Sequence, residues 1–387
     1  MGTKYNFDKA INRKETNSYK WDVKNGVLSF TVADTDFCVA DEIENAIIKR
    51  AKQPTYGYTF VPSEYFDAYI YWWSHRYDLK LEREWFIFST SVVASIDTII
   101  NRLTKEGDKI SLFSPNYNVF YNCIENNNRV IEEVPFDYDG NEYSINWPLL
   151  EESIKQSKMF ILCNPHNPIG KQFTKEELIR ITDICENANV YLITDEIHSD
   201  LDYNESRYNP LLKFTNYNKS IMLVSPGKSF NLAGLHSSVI IIRDKSLKEI
   251  VEKEIYKNDV GEPSFFSIEP VIEAYTKCED YVIEENEYIK ENKRVLQEFI
   301  VKNGLKLKII GGNSTYLLWI DVSSYANNSD EFSSELLEQH KVLVLPGSHY
   351  HEHHSSFIRV NIATQRKNIL HLCEALKNYC LKKGERK

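Results

Sequence analysis

No run in these 387 residues approaches the apolar length that crosses a bilayer. The first residues, MGTKYNFDKA, lack the apolar core of a secretory leader. Together these absences lead us to expect no membrane association and a cytoplasmic location. Positive charge is also not in excess: 46 Lys and Arg against 56 Asp and Glu leave a formal charge of −10. Nucleic-acid binding needs a basic surface, so no such partner is expected. Cysteine is present without pattern. The seven (Cys38, Cys123, Cys163, Cys185, Cys278, Cys373 and Cys380) are scattered, odd in number and free of any CxxC pair. That argues against a disulfide framework and for buried free thiols, with Cys163 packing inside an apolar strand. No internal repeat interrupts the chain.

The chain is long enough for two domains. After a polar and aromatic arm up to about residue 41, helical spacing runs through 43–51 and 64–77. The second stretch carries Tyr65, Tyr69, Trp72 and Trp73 as a core-facing stripe. A strand at 85–89 precedes a helix at 92–103. Strands and helices then alternate to about residue 245, the pattern of a mostly parallel α/β sheet with helical crossovers. A helical region is expected from Phe265 to Tyr275, and one long amphipathic helix over 280–303 leads into a mixed C-terminal segment.

Three apolar runs end at chemically loaded residues. MFILC (159–163) leads to Asn164-Pro165-His166-Asn167-Pro168. VYLIT (190–194) leads to Asp195-Glu196-Ile197-His198. SIMLV (220–224) leads to Ser225-Pro226-Gly227-Lys228. Open α/β sheets bind ligands at the carboxyl ends of their strands. An amide, a carboxylate and an amine at three such ends suit pyridoxal 5'-phosphate: lysine to carry it, aspartate to face its pyridine nitrogen, asparagine to donate to its ring oxygen. Read alone, Lys228 is a surface lysine, Asp195 a helix N-cap and Arg359 a surface arginine. The company they keep is what argues otherwise.

Eight motifs then stand in one order: VADTDF (32–37), YGYTF (56–60), SVV (91–93), CNPHNP (163–168), DEIHSD (195–200), KSFNLAGL (228–235), GNSTYLLW (312–319) and FIRVNIA (357–363). In these the chain resembles the fold-type I pyridoxal-phosphate enzymes of the class I/II aminotransferase superfamily, and within it the MalY/PatB-type carbon–sulfur lyases. The resemblance implies an aspartate-aminotransferase-like α/β fold. An N-terminal arm (1–41) would join the small domain, a large cofactor-binding domain would span 42–279, and a small C-terminal domain would span 280–387. It implies Lys228 and Asp195 as catalytic residues and Tyr117 stacked on the cofactor ring. Asn167 and His198 would face the ring oxygen. Ser91, Val92, Val93 and Ser225 would hold the phosphate, with Tyr58 reaching it from a neighbouring subunit of a homodimer with shared sites. Arg359 would take the substrate carboxylate, with Asp34 and Tyr316 beside it, and the Asn167–Pro168 bond would be cis.

The implied reaction is β-elimination from L-cystathionine or another L-cysteine S-conjugate, giving pyruvate, ammonia and a thiol. The alternatives are an aminotransferase for an aromatic or apolar amino acid and, as in the MalY branch, a regulatory binding role. The chain departs from the family pattern at Ser91, where glycine is usual. It departs again at Gly227, where serine or threonine is common, and at His236, which stands in place of a phosphate-gripping arginine. His349, His351, His353 and His354 are dense, yet no acidic or cysteine ligand accompanies them at a known spacing, so they are read as a polar loop and no metal is expected.

Overall fold

The structure, a computed structural model, describes residues 4–203, 208–312, 314–350 and 354–384. Seven strands form its central sheet: β1 (Phe86–Ser89), β2 (Lys109–Ser114), β3 (Val130–Pro135), β4 (Met159–Cys163), β5 (Tyr191–Asp195), β6 (Ser220–Val224) and β7 (Ser238–Ile241). Their spatial order is β1-β7-β6-β5-β4-β2-β3, and only β7 runs antiparallel to its neighbours. The sheet is therefore mixed but mostly parallel, as the alternating pattern predicts.

Burial on both faces explains the unbroken apolar runs. In β4, Met159, Ile161 and Cys163 pack to one side, and Phe160 and Leu162 to the other. The helices are α1 (Asp41–Ala51), α2 (Ser63–Tyr77), α3 (Val92–Leu103), α4 (Asn118–Asn126), α5 (Trp147–Gln156), α6 (Lys175–Asn187), α7 (Lys245–Lys257), α8 (Glu269–Lys277), α9 (Glu279–Lys302), α10 (Ser329–His340) and α11 (Arg366–Lys383). α3, α4 and α7 cover one face through Ile96, Ile99, Phe120, Ile124, Val251 and Ile255. α5 and α6 cover part of the other through Leu150, Ile154, Leu178 and Ile181.

Two expected boundaries move. The helical region expected from Phe265 begins at Glu269, because Pro270 takes a first-turn position and Phe265 to Ser267 form a turn. Asp195 is the last residue of β5, not the residue after it.

Beyond α9 lies a four-stranded antiparallel sheet of β8 (Lys308–Ile310), β9 (Leu317–Asp321), β10 (Leu345–Pro346) and β11 (Phe357–Asn361), ordered β8-β9-β11-β10. The arm reaches this region: Leu28–Ser29 pairs in parallel with Val342–Leu343, and Asn361 donates its amide to the Phe30 carbonyl.

Candidate active site

Register fixes the floor of the site. Cys163 pairs with Asp195 across β4 and β5, and Asp195 with Leu223 across β5 and β6. The carboxyl ends of three adjacent strands thus finish level, and the loops after β4 and β6 bring Asn167 and Lys228 over the same edge. They enclose a cavity of about 210 Å³. Of the residues singled out in the sequence, Ser91, Val92, Val93, Tyr117, Asn167, Asp195, His198, Ser225 and Lys228 line it, as does Cys163.

Lys228 Nζ donates to the Ala33 carbonyl at 2.6 Å. Burial, then the Arg359 charge, pulls its pKa down to about 8, against the pull of Asp34 and Asp195. Asp195 is buried and accepts from the Ile197 amide at 3.1 Å. Burial pushes its pKa up to about 7, opposed by that amide and by Lys228. Beneath it, Glu196 is fully engaged by Thr194 Oγ1, Tyr208 OH and the Leu211 amide, which fixes the turn that aims Asp195. His198 is buried, and its Nδ1 has no partner among the described residues. Burial and the charges of Lys228 and Arg359 hold its pKa well below the ordinary histidine value, so the ring is neutral. The Asn167–Pro168 peptide is cis, as expected.

Ser91 caps α3, its Oγ accepting from the Ala94 amide at 3.0 Å. The next two amides, of Val92 and Val93, are donors that a helix leaves without an intrahelical acceptor, and they open on the cavity. The departure from glycine at Ser91 is accommodated: its φ of −161° is extended backbone open to any residue. Gly227 is explained by closeness. A Cβ there would stand 3.1 Å from Ser225 Oγ and 3.3 Å from Ala233 Cα. Ser225 Oγ donates to the Ser237 carbonyl and accepts from the Gly227 amide.

Four sequence candidates lie outside the lining. Arg359 is buried and joined to it through Asn167: Nη1 donates to Asn167 Oδ1 at 3.2 Å and Nη2 to the Thr31 carbonyl at 2.6 Å. Its Nε is buried with no acceptor among the described residues, and its guanidinium sits over the Tyr350 ring. Tyr316 donates to the same Ala33 carbonyl at 3.0 Å. The Asp34 carboxylate turns to Arg13 at 2.5 Å and Lys20 at 3.6 Å. Tyr58 is fully exposed. His236, in place of the arginine clamp, is exposed and not part of the lining. His349 and His354 do not line the cavity, and His351 and His353 lie outside the described residues. The described residues contain no group of side chains suited to a metal ion.

Sequence reasoning missed Ala33, Thr90, Ile197, Ala233 and Ser237 in the lining. Ile197 had a signal, two residues after Asp195. Thr90 and Ser237 had none, since they meet only through the antiparallel pairing of Ser89 with Ser238.

Pyridoxal phosphate fits this set on the structure's own terms. The α3 amides suit its phosphate, and the orphaned His198 Nδ1 and the Asn167 amide suit its ring oxygen. A carboxylate held uncomfortably at depth suits a protonated ring nitrogen. Fold and site together define an aspartate-aminotransferase-like pyridoxal-phosphate protein. More narrowly, the chain belongs to the aminotransferase class I and II family, whose model matches residues 28–376. It is 31% identical to the cystathionine β-lyase PatB of Bacillus subtilis over 366 residues, 92% of this chain and 95% of that protein. Among solved structures, a pyridoxal-phosphate-bound putative aminotransferase from Clostridium difficile 630 superposes with a TM-score of 0.93 at 33% identity, covering 97% of this chain and 99% of that one. The pyridoxal-phosphate-bound C–S lyase of Staphylococcus hominis superposes with a TM-score of 0.91 at 28% identity, covering 98% and 99%.

Proposed function

We propose that this protein is a pyridoxal-phosphate-dependent carbon–sulfur lyase that cleaves L-cystathionine or related L-cysteine S-conjugates to pyruvate, ammonia and a thiol. Lys228 would carry the cofactor, which, when bound, supplies a sink for the electrons left at Cα. Asp195 would hold the proton on the ring nitrogen. Arg359, oriented by Asn167, the Thr31 carbonyl and the Tyr350 ring, would take the substrate carboxylate, with Tyr316 and the Asp34 segment at its side. Lys228 Nζ would then remove the Cα proton and deliver it to the departing sulfur. A thiol leaves readily because its unperturbed pKa is only about 8.5. Tyr117 would cover the ring face and exclude water.

The observation that carries the choice of elimination is the similarity to PatB over nearly the whole chain. The likeness to a putative aminotransferase supports transamination as the second reading, since both reactions begin with the same proton removal. We further infer a homodimer in which Tyr58 reaches the partner's phosphate site. Its full exposure, beside exposed Tyr56 and Phe60, supports this. A cytoplasmic location is part of the reading and is supported by seven free thiols, six of them buried. The test is pyruvate release from S-methyl-L-cysteine with no keto acid added. Release that vanishes in Lys228→Ala supports the lyase, and release in neither protein sinks it.

A further inference from the structure

A second constellation lies one residue from the Ala33 carbonyl that receives Lys228. Residues 32–36 form a strap held from several directions. Asn361 Nδ2 donates to the Val32 carbonyl at 2.6 Å and to the Asp34 carbonyl at 2.7 Å. Asn231, three residues past Lys228, exchanges two hydrogen bonds with the Thr35 backbone. Gln365 donates to the Asp36 carbonyl, and the Asp36 amide donates to Ala363.

The strap's two carboxylates meet two cations of the N-terminal arm. Arg13 pairs with Asp34 at 2.5 Å and with Asp36 at 3.0 Å. Lys20 pairs with Asp36 at 3.1 Å and also donates to the Asp34 carbonyl at 3.2 Å. Trp21 Nε1 completes the set with a 2.6 Å bond to Asp36 Oδ1. Lys20 has no exposed surface and Asp36 almost none.

Stability alone does not call for such an arrangement. Taking ions from water is costly, and apolar side chains of similar volume often serve a core as well or better. What two cations and two anions give that an apolar plug does not is directional fixing of one backbone segment. Here that segment presents the acceptor for the lysine amine.

We propose that Lys20, Arg13 and Trp21 are positioning residues for Lys228, acting through Asp36 and Asp34 on the Ala33 carbonyl. The proposal rests on Lys228 being the reactive amine. The carbonyl would hold the amine when it is released from the cofactor, so that it faces the Cα proton. Loosening the strap would cost turnover more than binding, because Arg359 keeps its contacts with Asn167 and the Tyr350 ring, neither of which belongs to the strap.

The test uses two variants, Lys20→Met and Trp21→Phe. The first readout is competitive acetylation of Lys228 in the cofactor-free chain, followed by mass spectrometry across pH, and it does not depend on which reaction the enzyme performs. The ionisable groups facing Lys228 are Arg359, Asp34, Asp195 and His198, with Tyr316 sharing its carbonyl. Removing the Lys20 charge would by Coulomb's law alone move the Lys228 midpoint to higher pH. Losing the carbonyl, which favours the protonated amine, moves it to lower pH. The proposal expects a downward move in Lys20→Met and a smaller downward move in the charge-neutral Trp21→Phe.

The second readout is steady-state turnover. Expected is a fall in kcat on the order of tenfold for Lys20→Met, with KM within about twofold, a size in keeping with a small misplacement of a reacting group. An upward or absent shift in a folded Lys20→Met chain overturns the proposal, as does lowered thermal stability with an unmoved midpoint. If Lys20→Met does not fold, Trp21→Phe decides in the same way. Absent lyase turnover in the wild-type protein, with the Lys228 midpoint still shifted in the variants, defeats the reaction assigned above and leaves the positioning role standing.

Discussion

Asp195 is a residue costly to the fold to which the proposed function assigns the contact with the ring nitrogen. Burial raises its pKa from an unfolded value near 3.9 to about 7 in the chain alone. Between those values the native state binds a proton that the unfolded state does not. The contribution of Asp195 to the stability of the cofactor-free chain should therefore fall as pH rises from about 4 through 7 and level off above that, read as the difference from Asp195→Asn at each pH. Asp195→Asn removes this dependence, so its melting temperature at pH 8 should equal or exceed that of the cofactor-free wild type. Its kcat should nevertheless fall by at least roughly a hundredfold, the scale of deleting one preorganised electrostatic partner. Calorimetry and steady-state kinetics on the same preparations check both halves, and near-wild-type turnover would remove the role. Lys228 gives a second pH signature. An amine adds to an aldehyde only when unprotonated, so cofactor uptake should quicken with pH and flatten near 8, the lowered pKa of this lysine. Continued acceleration to pH 10 would contradict it. Lys228, Asp195 and Asn167 were legible in the sequence because each follows a buried apolar run. Ala33 was not, because its contribution is a main-chain carbonyl, which any residue type supplies.

At the level of elements, α3 carries the phosphate argument. Its first turn offers the Val92 and Val93 amides, with Ser91 capping Ala94. Val92→Pro removes one amide at the position where helices tolerate proline, and extended Ser91 has the backbone that a residue before proline prefers. The variant should fold. Its affinity for pyridoxal phosphate should drop about tenfold, as expected for one lost hydrogen bond to a charged group. Equilibrium dialysis measures this, and unchanged affinity would take the α3 amides out of the site. Strand and helix identities read well from the sequence wherever the apolar pattern was long. Boundaries slipped where a local feature overrode it. Pro270 delayed α8, and neighbouring strands extended β5 through Asp195, whose side chain reads as a turn residue yet whose backbone pairs with both Cys163 and Leu223.

On the scale of the whole molecule, the arm and the C-terminal sheet close over the carboxyl edge of the large sheet. Two-residue strands, Leu28–Ser29 and Val342–Leu343, join the arm to the C-terminal region. Pairing between segments so far apart leaves almost no local signal, so only the family resemblance suggested it. The exposed Tyr58 gives the proposed dimer its test. Mixing Tyr58→Ala with Lys228→Ala protomers should recover activity, because one site in each mixed dimer has both residues intact. No recovery, with mixed dimers shown to form, would make the sites independent. The central claim is elimination at a carbon–sulfur bond, and a product balance on L-cystathionine tests it most directly. Pyruvate, ammonia and thiol should appear in equal amounts, at a rate that an added keto acid does not raise. Turnover that requires a keto acid, with no thiol released, would make this protein an aminotransferase.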